Sequence, residues 1–154
     1  MMTTNRDIYN FLYPLREFGG VFNESTIGSL RARSLPCYVV CNLASEGDPG
    51  THWVSLALEA DKAVFFDSFG AACKSDGMKR LLVERGYKSY TYNMYPLQHS
   101  LSVSCGEFCI GYVLSQKAGW HLSQYVGLFK YRSRVNDQII IDVVDILSKQ
   151  YLNK

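Results

Sequence analysis

The chain has 154 residues, of which 47% are hydrophobic, 14% aromatic and 19% charged. This length and composition predict one globular domain over residues 1–154 and exclude a disordered or fibrous chain. The net charge of +2 at pH 7 gives no strong electrostatic reason for a nucleic-acid partner. No apolar run approaches the roughly 18 residues of a membrane span, and the start lacks the apolar region of a signal peptide. With five cysteines, an odd number, we expect an intracellular, non-secreted protein with reduced thiols and no membrane partner.

The predicted elements begin with a short helix. Apolar residues recur at helical spacing between Ile8 and Leu15, and Gly19 and Gly20 are suitable stop residues. Three β-branched and aromatic runs follow and predict strands at 36–43, 52–59 and 63–69. A short polar gap separates the last two runs, which indicates a hairpin. Because these runs are apolar on both faces, we expect a sheet covered by helices on both sides.

The second half of the chain alternates between helix and strand. The patterns predict a helix at 75–86, a strand at 88–95, a helix at 104–119 and a C-terminal helix that ends near Tyr151. Ser75 or Asp76 is predicted to cap the first of these helices, and Asn136 or Asp137 the last. The whole is an α+β domain with about four or five strands.

The stretch SVSCGEFCIG places two cysteines four residues apart. Cys105 falls in the first turn of a predicted helix, where unpaired backbone N–H groups and the positive end of the helix favour a thiolate. Gly106 follows it and lets a substrate backbone approach closely. Cys109 lies one turn further on, where the apolar stripe needs a small buried residue. Position therefore predicts that Cys105 is a nucleophile and Cys109 belongs to the core.

A thiolate nucleophile needs a base, and the base needs an orienting group. If the strand that His52 opens pairs with the next strand through a two-residue turn, the numbers of paired residues sum to 119 or 121. Both registers place His52 and Asp67 on one face, roughly 5–8 Å apart at Cβ. Asp67 can then accept a hydrogen bond from one ring nitrogen while the other faces the thiol. The alternative stays open that Asp67 merely ends a strand and His52 is an ordinary satisfied histidine.

Other residues near Cys105 are weaker candidates. His99, in the loop before the helix, is an alternative base, whereas His121 fits a capping or surface position. Gln98 precedes Cys105 by seven residues, and its amide can donate, with the Cys105 N–H, to the oxyanion that forms when a thiolate attacks a carbonyl.

Zinc binding is a further alternative, since Cys37 and Cys41 repeat the spacing of Cys105 and Cys109. Both pairs fall in predicted regular elements. In a strand, the first pair would lie about 13 Å apart on one face, too far to chelate one ion. We therefore predict no metal site.

Three segments in order, CNLASEGDPGTHW, FFDSFG and QHSLSVSCGEFC, resemble the adenain family of adenovirus-type cysteine endopeptidases. The resemblance spans about Phe18 to Val113. It implies a papain-like fold with a central mixed sheet flanked by helices, shared with proteases that remove ubiquitin-like proteins. It also implies that His52 is the general base, Asp67 the orienting acid, Gln98 the oxyanion donor and Cys105 the nucleophile. The implied function is a viral endopeptidase that cleaves capsid and core precursor proteins in the host nucleus or the virion.

The sequence departs from the adenain pattern in two places. Adenains carry glutamate where this chain has Asp67, whereas ubiquitin-like-protein proteases carry aspartate, so deconjugation is the alternative activity. Adenain is activated by DNA and by a viral peptide held through a disulfide, yet residues 74–98 contain no cysteine. We expect no required cofactor, with activation by DNA or a viral peptide left open, and a monomer. A non-catalytic binding module, with or without a stabilising zinc ion, is the alternative of a different class.

Overall fold

The computed structural model describes residues 4–32, 34–43 and 52–154. Within these residues the chain forms a five-stranded mixed sheet with helices on both sides. The strands are β1 (Phe18–Asn23), β2 (Cys37–Asn42), β3 (Trp53–Leu58), β4 (Ala63–Phe66) and β5 (Thr91–Tyr92). The helices are α1 (Asn5–Leu12), α2 (Asp76–Glu84), α3 (Cys105–Lys117), α4 (Leu122–Val126) and α5 (Val135–Tyr151), with a 3-10 turn at Ile27–Ser29. The predicted α+β fold is confirmed.

The strands follow one another across the sheet in chain order. The outer pairs, β1 with β2 and β4 with β5, run parallel. The inner pairs, β2 with β3 and β3 with β4, run antiparallel. The mixed sheet therefore brings the end of β4 beside the end of β5, two segments that lie far apart in the sequence.

Side chains that alternate along β3 and β4 feed two separate apolar clusters of the described chain. Trp53 and Phe66 pack on the side of α1, α3, α4 and α5. Leu56 and Phe65 pack on the side of α2 and the 3-10 turn. Each fully buried large apolar side chain contributes roughly 1.5–3 kcal/mol to folding. The predicted coverage of both faces is confirmed.

Helix α3 runs through the interior of the larger cluster. Residues 105–115 are all buried, as expected of a helix that is apolar on every side. Gly111 permits the close packing of its neighbours, because a Cβ there would lie 2.6 Å from the Tyr125 hydroxyl and 2.5 Å from Ile140. The Tyr125 hydroxyl donates to the Phe108 carbonyl at 2.7 Å. Position 105 is therefore fixed by the packing of the whole helix.

The prediction that Gly19 and Gly20 end the first helix was wrong. Helix α1 ends at Leu12, and Gly19 and Gly20 lie inside β1, a strand that was not predicted. The strand needs them: a Cβ at position 19 would lie 2.6 Å from the Cys37 sulfur, and Gly20 has φ of +124°. Glycine in place of β-branched residues removed the usual strand signal.

Smaller differences concern element ends. Ser75 caps α2 by accepting from the Met78 N–H at 3.1 Å, as predicted. The predicted strand 88–95 is only two residues long as β5, α4 was not predicted, and Arg134 precedes α5 while Asn136 lies within it. Residues 44–51 of the quoted histidine segment lie outside the described residues. None of the described helices has the length and apolar character of a membrane span.

Candidate active site

The register of the β3–β4 hairpin brings His52 and Asp67 together. Ser55 pairs with Phe66 and Leu58 with Ala63, so the numbers of paired residues sum to 121, one of the two expected registers. His52, which immediately precedes β3, lies diagonally across from Asp67. Its Nε2 lies 2.7 Å from Asp67 Oδ1. The structure therefore contains the predicted hydrogen bond between the ring and the carboxylate.

Asp67 is held by more than the histidine. Its Oδ1 also accepts the Phe69 N–H at 2.8 Å, and the Phe69 ring lies with its centroid 4.8 Å from that of His52. The Asp67 N–H donates to Asn93 Oδ1 at 3.1 Å, and Asn93 Nδ2 donates to the Asp67 carbonyl at 2.7 Å. Asn93 directly follows β5, and its contact with Asp67 was not predicted from the sequence. The contact depends on the parallel pairing of β4 with β5, and the order of residues along the chain does not show that these two strands pair.

The surroundings of His52 favour a charged imidazolium. Burial lowers the pKa of the ring, but the hydrogen bond to Asp67 and the neighbouring Cys105 side chain outweigh this and raise the pKa to about 9. Nδ1 is buried and has no hydrogen-bond partner among the described residues. Because Nε2 is engaged by Asp67, Nδ1 is the ring nitrogen without a hydrogen bond in the described residues.

Cys105 is the first residue of α3, as predicted. It is 9% exposed, whereas Cys109, one turn further on, is fully buried in the larger apolar cluster. Burial raises the pKa of the Cys109 thiol well above its ordinary value. All five cysteines carry free thiols. Both cysteines belong to the larger apolar cluster, but Cys105 lies near enough to His52 to raise the pKa of the ring, whereas Cys109 is fully enclosed.

Gln98 is buried in the loop before α3. Its Nε2 donates to the Ser102 carbonyl at 2.9 Å, and its Oε1 accepts from the Ser68 hydroxyl at 2.5 Å. Neither contact was predicted from the sequence. Gln98 is therefore tied on one side to the turn after Asp67 and on the other to the segment that leads into Cys105.

Two side chains at the start of α5 form hydrogen bonds with the loop that contains Gln98. Asn136 Nδ2 donates to the Leu97 carbonyl at 2.8 Å. Asp137 Oδ1 accepts from the Ser102 hydroxyl at 2.7 Å, and Ser102 Oγ in turn accepts from the Ser104 N–H at 3.2 Å. Asn136 and Asp137 were predicted only as caps, but their side chains fix the segments on either side of Gln98.

The remaining histidines lie in other local environments. His99 Nδ1 accepts from the Leu101 N–H of its own loop at 3.1 Å. His121 immediately precedes α4, and its N–H donates to Gln124 Oε1 at 2.7 Å. No group of three or more His, Cys, Asp or Glu side chains in the described ranges is arranged to hold a metal ion. Cys37 and Cys41 both lie buried in β2.

The five-stranded α+β fold is that of a solved protease. The crystal structure of the ASFV pS273R protease matches 91% of this chain with a TM-score of 0.50 and 12% sequence identity. This chain spans 64% of the length of that protein. No protein-family model matches the sequence, and no curated protein matches it either. The likeness shows the fold, so the roles of individual residues depend on the geometry of the site.

Proposed function

We propose that the protein is a cysteine endopeptidase related to adenain, with Cys105 as the nucleophile. The observation that carries the proposal is the arrangement around His52. The ring is bonded through Nε2 to Asp67 at 2.7 Å and interacts with the Cys105 side chain, which together hold its pKa at about 9. A thiol, a histidine and an orienting carboxylate are the components of nucleophilic peptide hydrolysis. The fold shared with a solved protease supports the same conclusion.

In the proposed reaction, Cys105, His52 and Gln98 each have one role. His52, as the imidazolium, holds the proton that the Cys105 thiol has given up, and the thiolate attacks the carbonyl carbon of the scissile peptide bond. The oxyanion accepts hydrogen bonds from Gln98 Nε2 and the Cys105 N–H. His52 then gives its proton to the leaving amine as the C–N bond breaks, which leaves a thioester. A water that His52 deprotonates hydrolyses the thioester and releases the free thiol and a carboxylic acid.

We propose viral capsid and core precursor proteins as substrates, because the three sequence segments resemble those of adenain. The enzyme would then act in the host nucleus or the virion, as a monomer without a required cofactor, with DNA or a viral peptide as an activator. The second candidate activity is removal of ubiquitin-like proteins. It is favoured by one observation, the aspartate that bonds His52 where adenains carry glutamate.

Selective alkylation tests the catalytic assignment without knowledge of the substrate. At mildly acidic pH, iodoacetamide should modify Cys105 stoichiometrically and first among the five thiols, because in the proposed site His52 holds the thiol proton. His52→Ala should abolish this selectivity. Cys73→Ser is the matched control: it removes a buried thiol outside the site and should leave the labelling of Cys105 unchanged. Equal labelling of all the cysteines would contradict the proposal and favour a non-catalytic binding module.

A cleavage panel identifies the substrate. Capsid and core precursor proteins should be cut, whereas ubiquitin and SUMO conjugates should not, in assays with and without DNA and viral peptides. Cys105→Ser should abolish all cutting. Cleavage of the conjugates alone would replace the viral substrates with the second candidate activity, and cutting by Cys105→Ser would refute the nucleophile.

A further inference from the structure

The Gln98 carboxamide is held in one of its two possible orientations. The backbone carbonyl of Ser102 only accepts hydrogen bonds, so the atom that faces it at 2.9 Å is Nε2. Oε1 must then face Ser68, whose hydroxyl donates to it at 2.5 Å. Ser68 is fully buried and Gln98 is 2% exposed, so water does not compete for either contact.

Ser68 also fixes the backbone of the same loop. Its carbonyl accepts the N–H of Leu97 at 2.8 Å and the N–H of Gln98 at 3.0 Å. The Ser68 hydroxyl is therefore a donor at a fixed position relative to the main chain of Gln98. The terminal torsion of a glutamine side chain is broad and roughly two-fold, so its orientation depends on its partners. The Ser102 carbonyl selects Nε2 on one side and the Ser68 hydroxyl selects Oε1 on the other, and loss of the hydroxyl weakens the preference for this orientation. An exchanged amide would present an acceptor in place of a donor.

We propose that Ser68 is a positioning residue that keeps the Gln98 N–H groups directed towards the oxyanion of the reaction. The inference rests on the proposed function, since it concerns the same hydrolysis. Gln98 Nε2 donates to the Ser102 carbonyl at 2.9 Å and makes a long contact of 3.4 Å with the Ser102 hydroxyl. The amide has two N–H bonds, so in the proposed reaction one stays on the Ser102 carbonyl and the other exchanges the long contact for a substrate oxygen. Ser68 directly follows Asp67, so one turn after β4 orients both the base and the oxyanion donor.

Two reactions of the Cys105 thiol distinguish a role of Ser68 in positioning Gln98 from a general effect of Ser68 on the structure of the site. Alkylation by iodoacetamide joins sulfur to carbon with loss of iodide and forms no oxyanion. Acylation by p-nitrophenyl acetate passes through a tetrahedral oxyanion, loses p-nitrophenolate and leaves an acetyl thioester. For Ser68→Ala we expect acylation to fall about tenfold or more while alkylation of Cys105 stays near the wild-type rate. Gln98→Ala should lose more, on the order of 10²–10³-fold, since it removes the donor itself.

Controls separate the loss of orientation from the loss of a buried hydroxyl. Ser115→Ala also removes a fully buried hydroxyl, one that donates to the Tyr112 carbonyl at 2.7 Å, and should leave the ratio of acylation to alkylation unchanged. In a Gln98→Ala background, Ser68→Ala should have no further effect on that ratio. Ser68→Gly serves as a second hydroxyl-free variant if Ser68→Ala does not fold.

The possible failures are distinguishable. An unchanged ratio in Ser68→Ala, or an equal fall of both rates, would overturn the inference and leave the proposed function intact. A wild-type chain that is alkylated at Cys105 but not acylated would overturn both the inference and the oxyanion role of Gln98. Absence of selective alkylation in the wild type would overturn the proposed function itself.

Discussion

Asn93 and Asp67 are joined by two hydrogen bonds that run in opposite directions. The Asp67 N–H donates to Asn93 Oδ1 at 3.1 Å, and Asn93 Nδ2 donates to the Asp67 carbonyl at 2.7 Å. Both residues are buried. A residue after β5 thus fixes the main chain of the acid at the end of β4, and the acid in turn orients His52.

Asn93→Ala should weaken both the fold and the site. The substitution leaves the buried N–H of Asp67 without its partner, which costs about 1–3 kcal/mol, while the Asp67 carbonyl loses one of two donors and keeps the Gly70 N–H. Urea denaturation measures the loss in the free energy of unfolding, and iodoacetamide labelling of Cys105 should slow in the same variant. Asn10→Ala replaces an exposed asparagine and should change neither measurement. An unchanged labelling rate in Asn93→Ala would show that the Asp67 backbone does not need this support.

The protonation of His52 should depend on both of its neighbours. Its pKa is raised from 6.5 to about 9 by Asp67 and Cys105 against the opposing effect of burial. NMR titration of ¹⁵N-labelled histidine should show one ring that titrates near pH 9. Asp67→Asn and Cys105→Ala should each lower that value, and His99→Gln and His121→Gln assign the signal. A His52 pKa that stays near 9 in both variants would contradict this account of the site.

The same shift predicts how stability depends on pH. Because the folded state holds the His52 proton more tightly than the unfolded state, its contribution is complete below about pH 6.5 and is lost as the pH rises through about 9. The contribution is on the order of 3 kcal/mol at most. Urea denaturation of the wild type and of His52→Ala should therefore differ more at pH 6 than at pH 10. A gap that widens with pH would reverse the sign and exclude a raised pKa.

Gly70 ends the turn that begins at Asp67, and Gly70→Ala should destabilise the protein. Its N–H donates to the Asp67 carbonyl at 2.7 Å, its φ is +75°, and a Cβ there would lie 2.8 Å from the Pro96 backbone nitrogen. Strain and clash together should cost roughly 1–3 kcal/mol, measured by urea denaturation. Gly86→Ala is the matched control, since Gly86 has φ of +86° with open space around its Cβ position. Equal losses in the two variants would mean that the contact with Pro96 is unimportant.

The pattern of apolar residues was sufficient to predict contacts between segments that are neighbours in the sequence. The parity of β3 and β4 and the length of their turn limited the register to two choices, and both brought His52 to the same face as Asp67. The apolar stripe of α3 likewise placed Cys105 in a first turn and Cys109 in the core. These inferences needed only the period of a strand or a helix.

Contacts between distant segments could not be predicted in this way. Asn93 reaches Asp67 through a parallel pairing of β4 with the two-residue β5, and so short a strand carries almost no pattern. Ser68 meets Gln98 across 30 positions of sequence through loop backbone that has no periodicity. Strand β1 was missed because packing against β2 requires glycine at position 19.

The hairpin turn at residues 59–62 has a consequence for how this chain tolerates changes in length. The Glu59 N–H donates to the Lys62 carbonyl at 2.9 Å, so Ala60 and Asp61 alone span the gap between the paired strands. If the turn keeps its two-residue form, a single insertion or deletion would shift the pairing by one residue and turn one strand over relative to the other. His52 and Asp67 would then face opposite sides of the sheet, although neither residue had been altered. The length of this turn thus bears on the site through the register of the two strands.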